Sequence, residues 1–91
     1  MSSSKAIEHI LRKTFSIHHL EIIDDSARHA GHSTEAQKGG SHFSVLIVTE
    51  DFEGKTLMQR HRAIYKALEG EGIHALAIKA LTPKEFEFIP R

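Results

Sequence analysis

The segment His42 to Thr49, His-Phe-Ser-Val-Leu-Ile-Val-Thr, is the strongest constraint on how this chain folds. Phe43, Val45 and Ile47 would line one face of a strand, while Leu46 and Val48 keep the other face largely apolar too. Successive strand side chains point to opposite sides. A strand apolar on both sides needs cover on both, and belongs in the middle of its sheet. At 91 residues the chain has room for one core, so residues 1–91 are expected to form a single domain. The neighbours of this central strand must come from the segments on either side of it.

Those segments supply them. Ser2 to Ser4 offer N-cap oxygens for a helix starting near Lys5, and Ala6, Ile7, Ile10, Leu11 and Phe15 give it one apolar stripe through about Thr14. A strand is expected from His19 to Asp24, with Leu20 and Ile22 on one face. Asp25 to Ser41 has no apolar periodicity and carries Gly31, Gly39 and Gly40, so it reads as a loop. It exceeds the roughly 12–15 residues beyond which structureless loops in compact domains are usually functional or disordered.

After the central strand, Asp51-Phe52-Glu53-Gly54 turns the chain. Leu57, His61, Ile64, Tyr65 and Leu68 predict the inner stripe of a helix ending at Gly70 or Gly72, with Gln59, Arg60, Arg62, Lys66 and Glu69 outside. His74 to Ala80 predicts a third strand, with His74, Leu76 and Ile78 on one side. Thr82-Pro83-Lys84-Glu85 has the form of a capping box with proline at the first helical position, and predicts a short terminal helix. The order suits an antiparallel pairing of the first two strands and a parallel return of the third through the helical crossover. The expected fold is α+β: a two-layer sandwich with a three-stranded mixed sheet and helices on one face.

The chemistry available to this chain is that of imidazole. It has eight histidines and no cysteine, so it cannot by itself hold an all-thiolate iron–sulfur cluster. Without disulfides it suits a reducing compartment. It shows neither a membrane-spanning apolar run nor a hydrophobic signal segment. A cytoplasmic protein is expected, or an organellar one if a targeting segment has been removed, with no membrane partner and monomeric when alone. Twelve basic and twelve acidic residues give zero net charge. Domains that grip nucleic-acid backbone are usually distinctly basic, although a local basic face stays open.

Several groups could act. By strand parity His74 goes with Leu76 and Ile78, as either a core-edge histidine or a ligand completed from elsewhere in the fold. His29-x-x-His32 has chelating spacing, but zinc sites normally recruit four ligands, often including cysteine. Lys55, Arg60, Arg62 and Lys66 could contact phosphates or simply form a solvated helix face. Ser41, His42 and Asp24 supply the residue types of a catalytic triad with no nucleophile elbow around them, so no enzyme is expected.

Taken in order, Ser26-Ala27-Arg28-His29, Ser41-His42-Phe43, Phe52-Glu53-Gly54, Arg60-His61-Arg62 with Tyr65, and Ile73-His74-Ala75-Leu76 resemble the BolA family. Thr82-Pro83-Lys84-Glu85 is similar to its C-terminal signature, and the resemblance spans almost the whole chain. It is similar most of all to members with a His-Ala-Gly-His loop, here His29 to His32. Gly39-Gly40 stands where an acidic residue often precedes the family's Ser/Thr-His-Phe triplet. The resemblance implies a type II KH-like fold and partnership with a monothiol glutaredoxin. The pair would share a two-iron, two-sulfur cluster, with thiolates from the glutaredoxin and its bound glutathione. This chain would contribute His74 and a loop histidine, His29 or His32. The alternative it implies is a KH-like regulator that binds nucleic acid. KH domains clamp single strands with a Gly-x-x-Gly loop, but the turn here reads Gly54-Lys55-Thr56-Leu57 and lacks the second glycine.

Overall fold

A computed structural model describes residues 4–24, 42–73 and 75–88 of the chain. Helix α1 (Ser4–Thr14) leads into strand β1 (Ile17–Asp24). Strand β2 (His42–Thr49), a 3-10 turn (Glu50–Phe52), helix α2 (Leu57–Ala67), strand β3 (Ala75–Leu81) and helix α3 (Pro83–Glu87) follow. The sheet order is β1-β2-β3, with β1 antiparallel and β3 parallel to the central β2. This is the expected mixed sheet, and the order fits the KH-like expectation.

Alternation in β2 puts Phe43, Val45 and Ile47 into the core, each no more than 3% exposed. The ladder aligns their neighbours. Leu20 and Ile22 stand across from Ile47 and Val45, while Leu76, Ile78 and Ala80 stand across from Phe43, Val45 and Ile47. Onto this apolar face pack Ile7 and Leu11 of α1, Phe52, and Ile64 and Leu68 from α2 and its end. Burying such side chains contributes about 1.5–3 kcal/mol each, and this cluster is what makes so short a chain a stable layer.

The opposite face departs from the expectation of helices on one side only. Val48 is fully buried although its parity is outward, with His19 and Leu81 as its ladder partners. The ring of Phe86 in α3 stacks on His19, centroids 4.9 Å apart and 23° between planes. The short helix therefore covers one corner of this face. The reason is local: β3 ends at Leu81, and a complete Thr82/Glu85 capping box with Pro83 turns the chain at once into α3. Among the described residues the rest of the face is open. Glu21, Ile23, Ser44, Leu46, Ala77 and Lys79 line a shallow hollow of about 240 Å³ there.

Helix α2 is capped by a second box, in which Thr56 Oγ1 accepts from the Gln59 amide and Gln59 Oε1 accepts from the Thr56 amide. It stops at Ala67, before either glycine. Gly70 and Gly72, at φ +90° and +71°, then carry the chain back to the sheet in a conformation that favours glycine. Its inner stripe also differs from the expected one. Arg60, Ile64 and Leu68 face inward at i, i+4, i+8, whereas Leu57 and Tyr65 are 64% and 53% exposed. Leu57 is the first residue of the helix, and Arg60 takes the inward place because polar partners meet it there.

Candidate functional site

The two ends of the sheet are built differently. At one end the last residue of β1 and the first residues of β2 and β3 come together: Asp24 pairs with Phe43, and His42 with Ala75. The segment 25–41 leaves and re-enters the sheet at this end, and position 74 precedes β3 there. His29, His32 and His74 themselves lie outside the described residues, as does the expected loop. Among the described residues no cluster of three or more His, Cys, Asp or Glu side chains is placed to hold a metal ion.

What the structure does describe here is the ground on which position 74 stands. A groove of about 440 Å³ runs between the end of α2 and the start of β3, lined by Tyr65, Leu68, Glu69, Ile73, Ala75 and Leu76. The Tyr65 hydroxyl donates to the Leu76 carbonyl at 3.3 Å, tying α2 to β3 two residues past position 74. His42 is half-buried and stands across the ladder from Ala75. In the sequence His42 opens the central strand and belongs to the Ser41-His42-Phe43 triplet and to a Ser-His-Asp set, none of which places it near position 74. Strand register, which the sequence does not display, brings it beside the start of β3.

The four cations expected to contact phosphates separate into two kinds. Arg60 is buried and fully engaged: Nε donates to the Lys55 carbonyl at 3.1 Å and Nη1 to the Ala80 carbonyl at 3.0 Å. Its Nη1 and Nη2 also form a fork onto both carboxylate oxygens of Glu85, at 2.7 and 3.2 Å. The guanidinium lies over the Phe52 ring, 6.0 Å from its centroid. The Arg60 fork, then the Thr82 backbone amide, lowers the Glu85 carboxyl from 4.5 to about 2. Arg60 is therefore a corrected assignment. It fastens α2 to β3 and α3, with four of its five N–H hydrogens given to partners inside the fold. Glu85 does double duty, since its Oε1 also accepts from the Thr82 amide. Lys55, Arg62 and Lys66 are exposed, as expected of a solvated face.

A family model described as BolA-like protein matches residues 11–85. The chain belongs to the BolA family. BolA-family relatives include the "DNA-binding transcriptional regulator BolA" of Escherichia coli (strain K12), 39% identical over 90 residues, covering 96% of this chain and 82% of that protein. "SufE-like protein 1, chloroplastic/mitochondrial" of Arabidopsis thaliana is 45% identical over 73 residues, yet the match covers 72% of this chain and only 20% of that longer protein. Among solved structures, BolA1 from Arabidopsis thaliana superposes with a TM-score of 0.80 at 36% identity, covering 93% of this chain and 96% of that one. The BolA domain of SufE1 from the same plant gives 0.78 at 41% identity, covering 93% and 99%. None of the described helices is long and apolar enough to cross a membrane.

Proposed function

We propose that this BolA-family protein is a non-enzymatic partner of a monothiol glutaredoxin, to which it lends histidine ligands for a shared two-iron, two-sulfur cluster. The observation that carries this reading is the convergence of three chain segments at one end of the sheet. Asp24, His42 and Ala75 mark the places where the segment holding His29 and His32, and the segment holding His74, join it. The donor chemistry fits. With no cysteine the chain offers imidazole only, and imidazole replaces two thiolates on one iron of Rieske centres. The thiolates would come from the glutaredoxin and its glutathione. Such a complex would traffic clusters or report iron status. Residues 1–91 would act as one domain, in the cytoplasm or, as the names of the plant relatives suggest for those proteins, in an organelle.

The test is to co-purify the chain with monothiol glutaredoxins of its source and record the visible spectrum of the complex. A ligand-to-metal charge-transfer spectrum that differs from the glutaredoxin homodimer's, and is lost in His74→Ala, is the expected result. A spectrum identical with and without this chain overturns the proposal.

A second reading, nucleic-acid-binding regulation, draws support from the name of the Escherichia coli relative and from the exposed Lys55, Arg62 and Lys66. Zero net charge and the engagement of Arg60 weigh against it. Binding carried by three cations should be weak and fall steeply with salt.

A further inference from the structure

Helix α3 is fastened to the domain rather than built into it. None of its residues is buried, and the bonds that shape it are its own. Thr82 and Glu85 cap each other, and the Phe86 and Phe88 amides donate to the Thr82 and Glu85 carbonyls at 3.0 and 3.2 Å. The piece from Thr82 to Phe88 can therefore move as one body and keep them. Two side chains tie it to the rest of the domain. Glu85 takes the Arg60 fork at 2.7 and 3.2 Å, and the Phe86 ring lies on His19, whose Nε2 stands 2.6 Å from Glu21 Oε2. Beneath this piece Val48 is fully buried on the outward side of β2, with His19 and Leu81 as its ladder neighbours. Leu46, two residues earlier on the same side, lines the open hollow with Glu21, Ala77 and Lys79. Hollow and corner are thus one apolar track along β2, open at Leu46 and closed over Val48.

We propose that α3 is a strap that opens as a unit from the folded domain, turning about the junction of Leu81 and Thr82. Opening does two things at once. It bares Val48, extending the hollow of about 240 Å³ along the central strand, and it withdraws Glu85 from Arg60. The guanidinium keeps the Lys55 and Ala80 carbonyls. Water already reaches the side that Glu85 leaves, since the Glu85 side chain is 46% exposed, so the two freed N–H groups turn to solvent. The other layer is untouched: Ile7, Leu11, Phe52, Ile64 and Leu68 stay packed on the inner face. Segments that open below the free energy of global unfolding are those with few buried apolar groups of their own, and α3 has none.

The chain has no cysteine, so one introduced thiol reports its own exposure, because a buried thiol is inert. In the full chain Val48→Cys reads the strap, and Ile47→Cys, on the core side of the same strand, reads global unfolding; Val45→Cys replaces it if it does not fold. Labelling of Val48→Cys should barely change in low urea, because opening exposes little surface, whereas the core thiol should follow urea steeply. Without urea Val48→Cys should label about a hundredfold faster, each rate being referred to that variant's own stability. Two second-site changes separate strap from domain. Ile64→Val weakens the core without touching α3, and should speed the core thiol about two- to tenfold while leaving Val48→Cys unchanged. Phe86→Ala removes the stack on His19 and should speed both. If Ile64→Val speeds both thiols alike, or both follow urea with one slope, α3 leaves only when the domain unfolds and the strap is overturned. If Val48→Cys reacts as fast as in an unfolded chain, α3 does not close the corner in solution, and the strap is overturned as well.

Discussion

The corner where β3 meets α3 and the end where β3 begins differ in how their polar groups are used. At the α3 corner every strong group has a partner: Arg60 serves two carbonyls and a carboxylate, Glu85 serves Arg60 and the Thr82 amide, and Phe86 lies on His19. At the other end a groove stays open, and one long hydrogen bond from Tyr65 crosses it. The first arrangement is made of groups that hold one another. The second leaves space. Under the proposed function, stability and binding would be served by opposite ends of one strand, and each end can be perturbed with the other as its control.

The largest effect expected is a double dissociation. His74→Ala should abolish the shared cluster in complex with glutaredoxin and change folding stability by less than about 1 kcal/mol, as for a substitution outside the core. Arg60→Ala should do the reverse. Breaking a buried ion pair costs about 3–5 kcal/mol. Water already reaches Glu85, whose side chain is 46% exposed, and screens part of its charge, so about 2 kcal/mol is the better figure. Urea unfolding and the visible spectrum, measured on both variants, read the two effects. A His74→Ala protein that unfolds would return His74 to the core-edge role open to it by strand parity.

The two loop histidines sharpen the same end. His29 follows Ser26 at the Ser-x-x-His spacing, so His29→Ala should shorten cluster lifetime more than His32→Ala, with the double variant worse than either. A normal lifetime in the double variant would remove both from the ligand set.

Next comes the pH response of the α3 corner. The Glu85 carboxyl is lowered in the folded protein, from 4.5 to about 2. Its contribution to stability is therefore fully present above pH 4.5 and is lost as pH falls from there toward about 2. Glu85→Gln should flatten this part of the stability–pH curve and leave neutral-pH glutaredoxin binding intact. A wild-type curve already flat between those values would show that the carboxyl is not held by Arg60 in solution.

Period-two and helical patterns made the sheet legible, since Phe43, Val45 and Ile47 could face only one core. The capping box at Thr82 was legible too, because its bonds are local in sequence. Arg60 was misread as an outer-face cation for a physical reason. A charged side chain reads as solvated unless its partners are known, and the Ala80 carbonyl and Glu85 lie 20 and 25 residues away. The spacing Arg60-Ile64-Leu68 was the available clue. Tyr65 and Leu57 misled in the opposite sense: apolar mass suggested burial, but both side chains are more than half exposed, and Tyr65 meets the sheet only through its hydroxyl on the Leu76 carbonyl and one wall of the groove. The proposed ligand role of His74 came from the resemblance to the family, whereas the neighbourhood of His42 and Ala75 emerged only from strand register.

The smallest expected effect concerns the one bond across the groove. Tyr65→Phe removes a hydroxyl and keeps the ring. The Leu76 carbonyl loses a donor at 3.3 Å, but it lies near solvent, and water replaces the bond in part. A net loss of about 0.5–1 kcal/mol follows from ordinary hydrogen-bond energetics. That loss should be local, because the bond fastens the start of β3 to α2 and touches nothing at the α3 corner. Amide exchange at Ala75 to Ala77 should therefore quicken about two- to fivefold, while exchange at Ala80 and Leu81 stays as in the wild type. If both ends of β3 quicken together, the strand opens as one unit and the two ends are not independent. If neither changes, the Tyr65 hydroxyl spends its time with water, and its place in the groove rests on the ring alone.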